Sequence, residues 1–72
     1  MDAITTEQKV SGAKAIAAVG TAIKELGTVP SGELYTRLMS YVSINVYNKI
    51  IGILENVGAI TVDSQNVITW IG

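Results

Sequence analysis

The sequence lacks the residue types on which metal sites and covalent crosslinks depend. Its 72 residues include neither cysteine nor histidine, which excludes a disulfide framework, a zinc site and thiol chemistry. Charged residues make up only 15% of the chain, against about 25% in an average soluble protein. A stable fold of this size must therefore rest on the packing of apolar side chains, helped where needed by a partner surface.

The numbers of positively and negatively charged residues are nearly equal. Five Lys/Arg stand against six Asp/Glu, which gives a formal net charge of −1 and a pI of about 5.1. Hydrophobic residues account for 49% of the chain, and the mean hydropathy of +0.42 excludes a disordered chain. The length predicts a single domain over residues 1–72 with one modest core.

The N-terminal sequence lacks the pattern of a targeting segment. Asp2 and Glu7 stand where a signal peptide is basic. The most apolar run, residues 10–26, is interrupted by Lys14 and Lys24 and is too short to span a bilayer. The sequence therefore predicts a cytoplasmic protein without membrane contact.

A first helix is predicted over about residues 6–26. Thr5 and Gln8 have capping-box spacing, and Gly27 suits the C′ position, which often takes a positive φ. Large apolar residues fall on one face at helical spacing, namely Ile16, Val19, Ile23 and Leu26. Small residues lie beside this stripe, among them Ala13, Ala17 and Gly20. They would let another backbone approach closely.

Two further helices are predicted after a connector, residues 28–30, that has the pattern of a short strand. Ser31 is the expected N-cap of helix two, about residues 32–39. Ser43 is the expected N-cap of helix three, about residues 44–57, which ends before Gly58. Helix three has an apolar arc of about 160°, made of Val46, Tyr47, Ile50, Ile51, Ile53, Leu54 and Val57. Its polar arc holds Asn45, Asn48, Lys49, Gly52, Glu55 and Asn56.

A β-hairpin is predicted over residues 59–71. Ile60 and Val62 alternate with polar residues, and Ile68 and Trp70 alternate after a polar turn at residues 64–66. In this register Trp70 is expected to anchor the core beside Ile68.

The order of helix, short helix, turn, longer helix, glycine and hairpin resembles the winged helix-turn-helix superfamily over about residues 6–72. The segment YNKIIGILENVGAI carries most of the likeness, with Leu54 and Gly58 at the family's Leu-x-x-x-Gly spacing and Ile60 opening the wing. The resemblance implies a mainly α protein with a small β-hairpin (α+β), a three-helix winged helix-turn-helix. Members of this superfamily act as DNA readers, protein-interaction modules or dimerisation units, so the resemblance leaves the function open.

The resemblance also implies where DNA would be bound. The family's DNA readers use the exposed side of helix three and a basic wing tip. By position, the candidate DNA contacts are Ser43, Asn45, Asn48, Lys49 and Gly52, with residues 63–66 at the wing tip. From residue 31 to residue 72, however, two cations stand against three acids, so the charge is 2 − 3 = −1. Because phosphate neutralisation supplies much of DNA affinity, duplex DNA is expected to bind weakly.

Apolar surface provides the other candidate site. Exposed apolar area beyond a few hundred Å² normally marks an interaction site, and six residues are expected to contribute to protein contact: Ala13, Ala17, Gly20, Tyr41, Ile51 and Ile53. The expected partner is another protein or a second copy of the chain. The polar arc of helix three is then a solvated face, as amphipathic surface helices have.

Catalysis is not expected. The acidic residues are scattered rather than paired, and the sequence has no glycine-rich phosphate loop. We therefore expect no cofactor, no metal and no small-molecule substrate. The sequence predicts a non-enzymatic winged-helix module acting mainly through protein–protein contact, as a homodimer or as an adaptor in a nucleic-acid-associated assembly. The alternative is a small DNA-binding transcription regulator that reads DNA with helix three.

Overall fold

The computed structural model describes residues 12–72. Within that range the chain forms three helices and a three-stranded antiparallel sheet, which confirms the predicted α+β class. The elements, in chain order, are α1 (Gly12–Leu26), β1 (Thr28–Pro30), α2 (Ser31–Leu38), α3 (Ile44–Asn56), β2 (Ile60–Val62) and β3 (Val67–Trp70).

Helix α1 begins at Gly12, whose φ of +64° lies outside the right-handed helical region. The predicted helix over residues 6–26 is thus described from Gly12 onward, and its expected first turn with the capping box lies outside the described residues. The buried face is formed by Ala15, Val19 and Ile23. Leu26 is 39% exposed rather than part of the core, because the helix ends at this residue.

The C-terminal end of α1 follows the expectation. Gly27 has a φ of +79°, and its N–H donates to the carbonyl oxygen of Ile23 at 2.7 Å. A left-handed residue at this position closes the last helical turn and releases the chain into β1.

Helix α2 begins one residue earlier than predicted. Pro30 is its N-cap, no side chain caps the helix, and Ser31 is already helical. The prediction that Ser31 caps α2 through its hydroxyl is therefore wrong, because that hydroxyl is bonded to Tyr47 instead. Leu34 and Leu38 are buried as expected.

Helix α3 has the predicted start, because the Ser43 hydroxyl accepts a hydrogen bond from the Val46 N–H at 3.3 Å. The helix ends at Asn56, and Gly58 follows with a φ of +82°. Its buried residues are Tyr47, Ile50 and Leu54. The buried face is thus narrower than the predicted apolar arc, at whose margin Ile53 and Val57 are exposed.

The sheet has the strand order β1-β3-β2, so the last strand along the chain lies in the centre. Val29 of β1 and Val62 of β2 both pair with Ile68, and Ile60 pairs with Trp70. The predicted hairpin is confirmed, and β1 extends it to three strands. Ile68 is fully buried, whereas Trp70 is only partly buried and packs against the core, so the expected core anchor role holds in part.

Candidate functional site: the outer face of the third helix

One face of α3 points away from the core. With about 100° of rotation per residue, Gly52 lies opposite the side occupied by the buried residues Tyr47, Ile50 and Leu54. The surface centred on Gly52, here called the outer face of α3, consists of six exposed residues: Asn45, Asn48, Lys49, Gly52, Glu55 and Asn56.

Four of the five candidate DNA contacts lie together on this face. Asn45, Asn48, Lys49 and Gly52 are all exposed. Ser43 does not belong to the group, since it is partly buried and its hydroxyl caps α3. The structure therefore brings the predicted α3 residues together, without showing what they bind.

The charges of the outer face cancel. Lys49 and Glu55 are its two charged residues, and within the described part of the chain neither forms an ion pair. Arg37, on α2, pairs with Glu33 across one helical turn at 3.6 Å. Lys9, which the sequence suggested as a further cation, lies outside the described residues. Where a DNA reader presents net positive charge, this face presents none.

The turn at the predicted wing tip is stabilised by hydrogen bonds to the Asp63 side chain. The Asp63 carboxylate oxygen Oδ1 accepts hydrogen bonds from the Gln65 N–H at 2.8 Å and from the Val67 N–H at 3.0 Å. Asn66 takes a φ of +61°, a conformation that asparagine tolerates better than most residues. The residues of this turn are exposed, and Asp63 contributes negative charge where DNA contact requires positive charge.

The candidate protein contacts are spread over three places. Ala13 and Ala17 are exposed on α1, with Gly20 partly exposed beside them. On α3, Ile53 is 46% exposed, whereas Ile51 is half-buried against the core and offers less surface than expected. Tyr41, in the turn before α3, is 45% exposed.

Further large apolar side chains are exposed that the sequence did not single out as contact residues. They are Leu26, Met39, Ile44, Val57 and Ile71. Val57 was expected in the buried arc, but it lies beyond the last turn of α3 and is 69% exposed. Helical periodicity placed Leu26 and Val57 on apolar helix faces, but it could not show how far the neighbouring elements extend over them.

A network of two hydroxyl groups fixes α3 against the start of α2. The Tyr47 hydroxyl donates to the Ser31 carbonyl oxygen at 3.0 Å and lies 2.9 Å from the Ser31 Oγ. The Tyr35 ring packs against the Tyr47 ring, with centroids 5.0 Å apart and planes inclined by 56°. Burial raises the pKa of Tyr47 above its usual value of 10.0, while the hydrogen bond with Ser31 lowers it by less. The network orients α3 and takes no part in the outer face.

Gly52 is the unusual residue of the outer face. A glycine within a helix costs about 1 kcal/mol relative to alanine, yet a Cβ atom built at Gly52 meets nothing within 4 Å. Gly52 lies in an open depression whose described lining also includes Lys49, Ile53, Glu55 and Asn56. The described fold therefore gives no packing reason for glycine at this position.

The described residues contain no group of three or more acidic side chains that could hold a metal ion. Nor does any helix within residues 12–72 have the length and apolar character needed to cross a bilayer. The cytoplasmic location stays a prediction.

Comparison with known proteins adds no assignment. The chain matches no protein-family model, no curated protein and no solved structure.

Proposed function

We propose that this chain is a non-enzymatic winged-helix module that acts through protein–protein contact, either as a homodimer or as an adaptor in an assembly that handles nucleic acid. The winged-helix assignment is supported by the element order, in which two helices follow a short strand and lead through Gly58 into the hairpin. The function is a property of the surface rather than of the fold.

The observation that carries the proposal is the charge of the outer face of α3. Its single cation, Lys49, is offset by Glu55, and the hairpin turn adds Asp63. Each neutralised phosphate contributes about 0.9 to the slope of log K against log salt concentration, so one usable lysine supports little affinity. The exposed Ile53 borders the same face and adds apolar surface to it.

The second candidate is a small DNA-binding regulator. It is favoured by the exposure of Asn45, Asn48 and Lys49 on one helical face, since asparagine pairs with adenine edges and lysine with guanine or phosphate.

One experiment separates the two candidates. Fluorescence anisotropy with random duplex DNA at low salt is run beside sedimentation equilibrium of the protein alone. We expect no DNA binding below about 10 µM, because so few cations are available. A mass that rises with protein concentration is expected of the homodimer, and a constant monomer mass of the adaptor. Micromolar binding that weakens with salt and with Lys49→Glu, from a chain that stays monomeric, would overturn the proposal in favour of the regulator.

A further inference from the structure

Four residues of the outer face of α3 are spaced evenly about Gly52. Lys49 lies three residues before this glycine and Glu55 three residues after it, while Asn48 and Asn56 lie four residues before and after. All five residues are exposed. Opposite charges and identical amides therefore occupy mirrored positions along one helical surface.

From this arrangement we infer that the partner is a second copy of the chain, and that two α3 helices pack antiparallel across a twofold axis at Gly52. The inference rests on the proposed protein-contact function and names its surface and occupant. A twofold interface is self-complementary, so each residue i that meets residue j is matched by j meeting i.

The pairing follows from helix geometry. With a rise of about 1.5 Å per residue, Lys49 and Glu55 lie about 4.5 Å on either side of Gly52 along the axis. Reversal of the second helix brings Lys49 level with Glu55 of the second copy, and the contact occurs twice. For helix axes about 8 Å apart, their Cβ atoms are separated by about 7 Å, which the two side chains span.

The positions of Asn48, Asn56 and Gly52 are consistent with the same twofold axis. Asn48 comes level with Asn56 of the second copy, and both can donate and accept hydrogen bonds. Gly52 stands where the two backbones come closest, and the absence of a side chain allows that approach. This gives a reason for the glycine that the fold of one chain does not supply.

Ile53 lies at the edge of this contact. It is 46% exposed in the single chain, and the twofold axis places it on the same side as Ile53 of the second copy. One helix pair buries less than the roughly 800 Å² per partner of a standard interface. The dimer is therefore weak, populated at protein concentrations of about 100 µM and above.

Charge exchange tests the pairing directly. In sedimentation equilibrium, Lys49→Glu alone and Glu55→Lys alone should each weaken self-association about tenfold or more, because both symmetric contacts become repulsive. The double variant should restore it. When mixed, the two single variants should form a heterodimer, since the two acidic side chains of the first variant then face the two basic side chains of the second.

The matched control lies on α1, where Lys24 and Glu25 are exposed neighbours. Lys24→Glu and Glu25→Lys change the net charge by the same amounts but lie away from α3, so they should leave the mass distribution unchanged and should not associate selectively when mixed. Equal behaviour of the two variant pairs would overturn the inference.

A second variant tests the close approach. Gly52→Gln introduces a long polar side chain at the axis, which should hold the helices apart and lower self-association while the melting temperature of the monomer rises. Unchanged self-association would contradict the inferred interface.

The outcomes separate the two proposals. A dimer that is indifferent to Lys49→Glu and to Gly52→Gln overturns the α3 interface and leaves the protein-contact function standing. A chain that remains monomeric at about 1 mM, far above the expected range, also overturns the α3 interface. If that monomer binds duplex DNA in a salt-dependent way, the proposed function fails as well.

Discussion

Removing the Tyr47 hydroxyl should destabilise the fold measurably, although Tyr47→Phe keeps the buried ring. The hydroxyl is bonded to both the carbonyl oxygen and the Oγ of Ser31, so the substitution removes two hydrogen bonds that join α2 to α3. The Tyr47 residue is 2% exposed, and little water can replace the lost group on its side of the contact.

The size of the effect follows from the burial of the two partners. A hydrogen bond contributes about 0.5–1.5 kcal/mol net, and more when a buried group is left without a partner. Ser31 is partly exposed, so water can rehydrate its oxygen atoms and limit the loss. We expect a decrease of about 1.5 kcal/mol in the free energy of unfolding, which corresponds to a fall of about 6–12 °C in the melting temperature of a domain this small.

The control is Tyr35→Phe. The Tyr35 ring packs on Tyr47, but its hydroxyl forms no hydrogen bond within the described residues, so the change should stay within about 0.5 kcal/mol. Both variants are compared with the parent chain by thermal and urea denaturation followed by circular dichroism. Equal destabilisation by the two substitutions would refute the role assigned to the Ser31–Tyr47 network.

A double-mutant cycle locates the effect. Ser31→Ala and Tyr47→Phe should be non-additive by about 1 kcal/mol, because each breaks the same contact. Full additivity would mean that the hydrogen bond between the two hydroxyl groups contributes nothing to stability.

Three further results are expected. The folded-state pKa of Tyr47 is raised, so its contribution to stability is complete below the unfolded pKa of 10.0 and is lost as the pH rises through the higher folded value. Alkaline denaturation monitored by tyrosinate absorbance should show this loss. Tyr47→Phe should make the free energy of unfolding depend less on pH in this range. Gly52→Ala should stabilise the monomer by about 0.5–1 kcal/mol, since the added Cβ meets nothing within 4 Å, and an unchanged or lower urea midpoint would contradict this open placement. Asp63→Ala should cost about 1–2 kcal/mol through the loss of two turn hydrogen bonds, whereas the neighbouring control Ser64→Ala should be close to neutral in the same assay.

Local signals predicted most of the fold. The Ser43 cap of α3 and the position of Gly58 after its last residue could be predicted, because capping depends on residues within one helical turn. The hairpin could be predicted because its alternation has a period of two, with Ile68 on the buried side. In each case the pattern and the structure it predicts involve neighbouring residues.

Predictions that depended on distant contacts were less complete. The Ser31 hydroxyl bonds to a residue sixteen positions away rather than capping its own helix, and nothing near Ser31 indicates that choice. The width of the α3 arc was overestimated for a related reason, since exposure of Ile53 depends on how far other elements extend. The candidate contacts on α3 were placed together by helical geometry, and the charge count over residues 31–72 already included Glu55; the structure adds that Glu55 is exposed on the same face as Lys49.

The position of β3 has a consequence for the way the chain acquires its fold. Both outer strands hydrogen-bond to β3 and not to each other. Val29 of β1 can pair only after Ile68 has been synthesised, because Ile68 is its partner and lies much later in the chain. During synthesis the helices can form before β3 has left the ribosome. Until then β1 and β2 have no strand to pair with, because β3 lies between them in the sheet. A ribosome stalled before β3 emerges would thus display an unpaired strand that invites association with other nascent chains.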